Sequence, residues 1–187
     1  MDSKEIRQSH MKLLPHMNEA VKSVQKQLSD LSGSDFILET NIKPHDSVKR
    51  KMEERRLRNI QDLSDLVRGR LYFSDQFTFK EVMGLLTHFL GAQIKNVEKK
   101  DEKEHGLIYK GIMHVDLNVN GLKFELQVLP IEFHPHKETL HKIYEQLRSD
   151  HSLSDKQKET LRKIHNKMIH GLDELAGYNR SEAKSNK

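Results

Sequence analysis

The sequence predicts an α+β protein: one mixed sheet of four or five strands, helices between the strands, and helical extensions at both ends. Three observations carry this. Apolar residues recur near the helical period at Leu14, Met17, Val21, Val24, Leu28 and Leu31. From Met113 to Val119 apolar and polar residues alternate, which is the pattern of a half-buried strand. Asn120-Gly121 then supplies the preferred pair for a tight I′ turn, so "LKFELQVLP" reads as the second arm of a hairpin.

In chain order, residues 4 to about 31 read as a helix broken at Pro15, which lacks a backbone donor. "LSGSD" stops it. "FILETNIK" (36–43) is a short strand ended by Pro44. Asp46 or Ser47 caps a helix through "VKRKMEERRLR". "DLVRGRLYF" (65–73) is strand-like at its end. Thr78 caps a helix that buries Phe79, Val82, Leu85, Leu86 and Phe89 and stops at Gly91. "AQIKNVEKK" is a strand and "DEKEHG" a charged loop. In the second hairpin arm Phe124, Leu126 and Val128 face one way, while Lys123, Glu125, Gln127 and Leu129 face the other. Helices over about 135–149 and 154–176 close the chain, and "YNRSEAKSNK" forms a loose tail. This gives an N-terminal helical segment (1–35), a core (36–150), and a C-terminal helix with its tail (151–187).

Composition narrows the function classes. The 187 residues suit a single domain with a real core. At 35% hydrophobic and 32% charged, the chain is globular rather than disordered. No apolar run approaches the roughly 20 residues that span a bilayer, and the start has no apolar h-region of a secretory signal. The absence of cysteine excludes disulfides and thiolate chemistry and fits a reducing, cytoplasmic setting. A net charge of +4 favours anionic partners without choosing among nucleotide, RNA and acidic protein.

Chemistry concentrates in "NIKPHDSVKRKMEERRLRNIQDLSDLVRGR". Lys43 precedes Pro44, and Ser47 and Lys51 lie four apart on one helix face. Lysines and a hydroxyl at a helix N-terminus make a cradle for phosphate oxygens. The alternative is a solvated basic helix, with Glu53 and Glu54 paired to Arg56 and Arg58. Asp65 at a strand entrance, with Arg70 five residues on, suits Mg²⁺ or a plain helix-to-strand cap. Tyr109, Lys110 and His114 around Gly111 could clamp a nucleobase and its phosphates, or be ordinary edge residues. His141, Tyr144 and Arg148 share a helix face that either lines a site or packs beneath it. Glu125 and Gln127 are either a wetted strand face or part of a site. The twelve histidines include no zinc-ligand order such as HExxH, and His45-Asp46 alone does not make a phosphohydrolase.

The order of these pieces resembles the RelA/SpoT-type alarmone synthetases, especially the small single-domain members. Their R-x-K-P-x-x-S-I-x-x-K segment reads Asn41-Ile42-Lys43-Pro44-His45-Asp46-Ser47-Val48-Lys49-Arg50-Lys51 here. "DLSDLVRGRL" (62–71) fills D-I-x-D-(I/L)-x-G-x-R-(I/L). The tyrosine loop Y-R-S/G-x-H looks like Tyr109 to His114, and E-(I/V/L)-Q-(I/V) is Glu125-Leu126-Gln127-Val128. The match spans roughly residues 36 to 148. It implies a nucleotidyltransferase-like mixed sheet. It also implies a reaction in which the 3′-hydroxyl of a guanosine nucleotide attacks the β-phosphorus of ATP, pyrophosphate moves across, and AMP leaves. By the resemblance, Lys43, Ser47, Lys51 and Arg70 hold the ATP phosphates, and Asp65 and Glu125 hold Mg²⁺. Glu125 also takes or orients the 3′-hydroxyl proton. Tyr109 stacks on the acceptor base, and Lys110, His114 and Gln127 contact the acceptor. His141, Tyr144 and Arg148 support the site.

The sequence departs from the family pattern at named positions. Asn41 replaces the arginine two before Lys43. Arg68 stands where glycine is expected, with Gly69 one place late. One extra residue separates Tyr109 from His114, so either Met113 takes the histidine position or the loop is bulged. Leu129-Pro130 replaces Arg-Thr. These changes fall mostly on the acceptor side. Two further readings therefore stand beside the synthetase: a toxin-like transferase acting on the 3′ end of tRNA or an adenine nucleotide, and a catalytically degenerate nucleotide-binding module. The pI suits RNA, although a charged helix is also simply soluble. Neither DNA nor a membrane is an expected partner. The terminal helices could support a homo-oligomer or simply cover the sheet.

Overall fold

The computed structural model describes residues 2–181 apart from 32, 34, 101, 102, 105, 106, 109–111 and 151. In chain order the elements are α1 (Ser3–Gln27), β1 (Phe36–Ile42), α2 (His45–Glu54), β2 (Val67–Phe73) and α3 (Phe79–Leu90), then β3 (Ile94–Lys100), β4 (Lys103–Glu104) and β5 (Leu107–Ile108). β6 (Ile112–Val119), β7 (Leu122–Pro130), α4 (Lys137–Ser149) and α5 (Asp155–Ser181) complete the chain. The main sheet has the order β1-β2-β7-β6-β3. β2 and β7 pair in parallel, and the other three pairings are antiparallel.

The turn between β6 and β7 explains the hairpin register. Asn120 and Gly121 both take positive φ, 54° and 83°, as a I′ turn requires. Asn118 Oδ1 accepts the Gly121 amide at 3.0 Å. Two faces follow from the alternation. On one, Phe124, Leu126 and Val128 join Val67, Leu71 and Phe73 in a core covered by Met17, Ala20 and Val24 of α1 and Val82, Leu86 and Leu90 of α3. Gly69 lies on this face. A Cβ there would meet Leu126 Cδ1 at 3.0 Å and Phe124 Cε1 at 3.1 Å. Bare backbone is therefore needed at 69, which accounts for the glycine one place later than the motif has it.

The opposite face is divided. At one end Tyr72 and Leu129 pack with Ile112, Phe133, Ile169 and Leu172 under α5. Toward the other end lie two polar rows that run across the strands. One holds Glu39, Arg70, Gln127, His114 and Glu98; the other holds Asn41, Arg68, Glu125, Asp116 and Asn96.

Several expectations change. α1 runs unbroken through Pro15. Pro15 is exposed, so water can satisfy the carbonyl that its missing amide leaves free. Neither Asp46 nor Ser47 caps α2. Pro44 occupies the N-cap position and offers no side-chain cap. α2 also stops at Glu54 rather than near Arg58, because Arg56 turns left-handed with φ 50°. Within "DEKEHG" two residues pair with Leu107–Ile108 as a small β4-β5 hairpin. The segment Ile131–His136 is a 3₁₀ helix ahead of α4, and α5 continues to Ser181, four residues into the expected loose tail.

Candidate active site

Apart from Glu39 and Asn96, the residues of the polar rows form the floor of a cleft of about 1200 Å³. α2 makes one wall, with Ser47 and Lys51, and α4 makes another, with His141, Tyr144 and Arg148. The expected helical triplet thus lines the cleft rather than packing beneath it.

Lys43 follows β1 and is only 6% exposed. Its ammonium donates to Asp65 Oδ2, and Lys51 Nζ donates to the same oxygen at 2.7 Å. Asp65 is itself 5% exposed. Burial alone would raise its carboxyl pKa, but the bonds and charges of the two lysines outweigh this and lower it from 3.8 to about 2. Burial pushes the Lys43 ammonium down, and Asp65 offsets only part of that. The other carboxylate oxygen, Asp65 Oδ1, is buried without a hydrogen-bond partner. Ser47 lies on the uncapped first turn of α2, beside these lysines.

A second network crosses three strands. Arg70 Nε donates to Gln127 Oε1 at 3.2 Å, and Gln127 Nε2 donates to Glu125 Oε1 at 3.1 Å. His114 Nδ1 lies 3.9 Å from Glu125 Oε2. The Glu125 side chain is 18% exposed, so Glu125 and Gln127 stand on a cleft floor and not on a wetted face. His114 is directly opposite Gln127, while Met113 packs against the core on the reverse face. That places His114, not Met113, toward the site. Tyr109 and Lys110 lie outside the described residues.

The walls are tied by ion pairs. Arg148 reaches Tyr144 Oη at 3.4 Å, with its guanidinium 5.6 Å from the ring centre, and Glu54 at 3.7 Å. Arg50 joins α2 to α4 through Glu145 at 3.6 Å. On β1, Glu39 accepts from Lys137 and lies 3.1 Å from His134 Nε2, fastening the start of α4 across the sheet. Beneath the Lys43 loop, the buried His10 holds the Lys43 carbonyl through Nε2 at 3.1 Å. A carbonyl only accepts, so Nε2 carries the proton.

Asp116, opposite Glu125 on the cleft floor, is a residue the sequence reading missed. The signal was available: a two-residue turn fixes a hairpin register, and counting outward from Val119 and Leu122 brings Asp116 to Glu125. Glu39, Lys137 and His10 carried no such local signal.

Leu129 explains one departure. It is 5% exposed and packs under Ile169 and Leu172 of α5, so an arginine here would bury an unpaired charge. Leu129→Arg is expected to cost about 3 kcal/mol or more, read as a lowered urea midpoint with an unchanged slope.

No protein-family model matches the chain, and comparison with curated proteins finds no match. Solved structures do match. Small alarmone synthetase 2 from Bacillus subtilis is 19% identical, covering 90% of this chain and 96% of that one, with a TM-score of 0.65. Small alarmone synthetase 1 from Bacillus subtilis, bound to its product pppGpp, is 17% identical over 95% and 98%, with a TM-score of 0.62. The Type VI effector Tas1, in complex with its immunity protein, is 14% identical over 93% and 99%, with a TM-score of 0.60. Among the described residues no helix is long and apolar enough to cross a membrane. The expected mixed sheet with flanking helices is present, and the chain has the fold of the small alarmone synthetases.

Proposed function

We propose that this chain is an ATP-dependent pyrophosphokinase of the cytoplasm, moving the β,γ-pyrophosphate of ATP to the 3′-hydroxyl of a guanosine nucleotide. The observation that carries the reading is one cleft that holds both halves of the required chemistry. A lysine-rich, uncapped helix start stands on one side, and a hydrogen-bonded carboxylate, Glu125, on the floor. Phosphoryl transfer depends chiefly on positioning and on neutralising phosphate charge.

The uncapped first-turn amides of α2 and Ser47 receive phosphate oxygens, with Lys51 adding charge. Lys43 and Asp65 hold this wall in place. Arg70, aligned by Gln127, faces the same phosphates. Glu125 accepts the proton of the attacking hydroxyl, and Gln127 and His114 keep its carboxylate oriented. Tyr109 stacks on the acceptor base, and Lys110 contacts the acceptor nucleotide.

The residues fit Mg²⁺. Asp65 keeps one buried oxygen unpartnered, and Glu125 supplies a second carboxylate. Mg²⁺ takes one or two carboxylates and completes its shell with substrate phosphates and water. When bound, the ion would neutralise charge on the transferring phosphates.

A second reading, a changed acceptor such as the 3′ end of tRNA or an adenine nucleotide, draws support from Leu129. That position carries an apolar side chain packed under α5 at the edge of the cleft, and offers an acceptor none of the charge an arginine would. One assay tests both: γ-labelled ATP and Mg²⁺ with GDP, GTP, ADP or deacylated tRNA. Label on GDP or GTP supports the first reading, and label only on tRNA or ADP supports the second. A folded protein that labels none of them sinks both.

A further inference from the structure

The cations around the cleft are nearly all committed. Lys43 and Lys51 hold Asp65. Arg50 and Arg148 share Glu54 and Glu145, and Lys137 is held by Glu39. Arg70 donates to Gln127. Arg68 differs. It is half-buried on the cleft floor, yet among the described residues its side chain makes no hydrogen bond and no ion pair. Its register partner on β7 is the carboxylate-bearing Glu125, and even there no ion pair forms. Arg55 is also unpaired, but it stands exposed at the end of α2.

We propose that Arg68 is an anion-binding residue that grips a phosphate of the nucleotide donor. The inference rests on the donor reading above, but its physical basis is separate. A half-buried guanidinium without an acid is poorly stabilised, and a phosphate in the cleft supplies the missing charge through two parallel hydrogen bonds. Arg68 and Arg70 lie two apart on β2 and so share one face. Arg68 also stands close enough to Lys43 for its charge to join burial in lowering that ammonium's pKa. The register adds a reason for its position. Asn41, where the resembling motif carries arginine, is the direct cross-strand neighbour of Arg68. A positive charge thus stands one strand over from Asn41, at the same level of the sheet.

The test is titration calorimetry on the full chain with a non-hydrolysable ATP analogue, adenosine and inorganic triphosphate. Arg68→Ala should weaken the analogue and triphosphate by about 10–100-fold, the scale of a lost charge-assisted hydrogen bond, and change adenosine by less than about two-fold. Arg68→Lys should fall between, and Asn41→Arg with Arg68→Ala should recover most of the loss. Should Arg68→Ala fail to fold, Arg68→Gln replaces it. Analogue affinity within about two-fold of the parent overturns the proposal. If the parent binds triphosphate through Arg68 but no ATP analogue, the donor reading fails and the anion site stands. If the parent binds neither, both fall.

Discussion

Glu125→Gln is expected to lower pyrophosphate transfer by about 10²–10⁴-fold, the usual worth of a positioned general base. Binding of an ATP analogue should stay within about three-fold. The substitution keeps the volume and leaves an oxygen to accept from Gln127 Nε2, now at 3.1 Å. It removes the charge beside His114 and the capacity to take a proton. Single-turnover transfer from labelled ATP, run beside calorimetric binding, separates the two effects. A variant that transfers at the parent rate removes Glu125 from the role given to it.

Asp65→Ala is expected to cost about 3–5 kcal/mol, because it leaves a buried ammonium without its counter-charge. Lys43 has almost no access to water, whereas Lys51 can turn outward. In a chain of this size that loss lowers Tm by roughly 6–20 °C. Adding Lys43→Met to Asp65→Ala should return part of the stability, since the stranded charge is then gone. A double variant no more stable than Asp65→Ala alone would show that the pair is not the source of the loss.

The same carboxylate sets an acid limit. Its pKa is lowered from 3.8 to about 2 on folding, so the folded state binds fewer protons there than the unfolded chain does. Its stabilisation is therefore complete above about pH 5 and is lost as pH falls through 3.8 toward 2. Urea melts between pH 2 and 6 should show the gap between parent and Asp65→Ala closing over that window. A gap that stays constant would show that Asp65 is not held ionised by its lysines.

Much of the fold was legible because its signals are local. Alternation from Met113 to Val119, the Asn-Gly turn and the spacing of Val82, Leu86 and their neighbours each depend on a few adjacent residues. Pro15 misled for the same reason: the local rule sees a missing donor but not that it faces water. The site was partly legible. Periodicity says which residues share a face of one strand, so Glu125 and Gln127 were grouped correctly. It does not say which strand lies alongside.

By itself the sequence determined the α+β class, the hairpin and the segments rich in phosphate-binding chemistry. Only the tertiary structure decided how those segments meet. The antiparallel β1-β2 pairing sets Asn41 beside Arg68, and the parallel β2-β7 pairing sets Arg68 beside Glu125. It also placed two lysines on one Asp65 oxygen and packed α5 over Leu129. These are contacts between residues 14 to 57 positions apart. They are chosen by burial of the whole sheet and its helices, a quantity that no single segment carries.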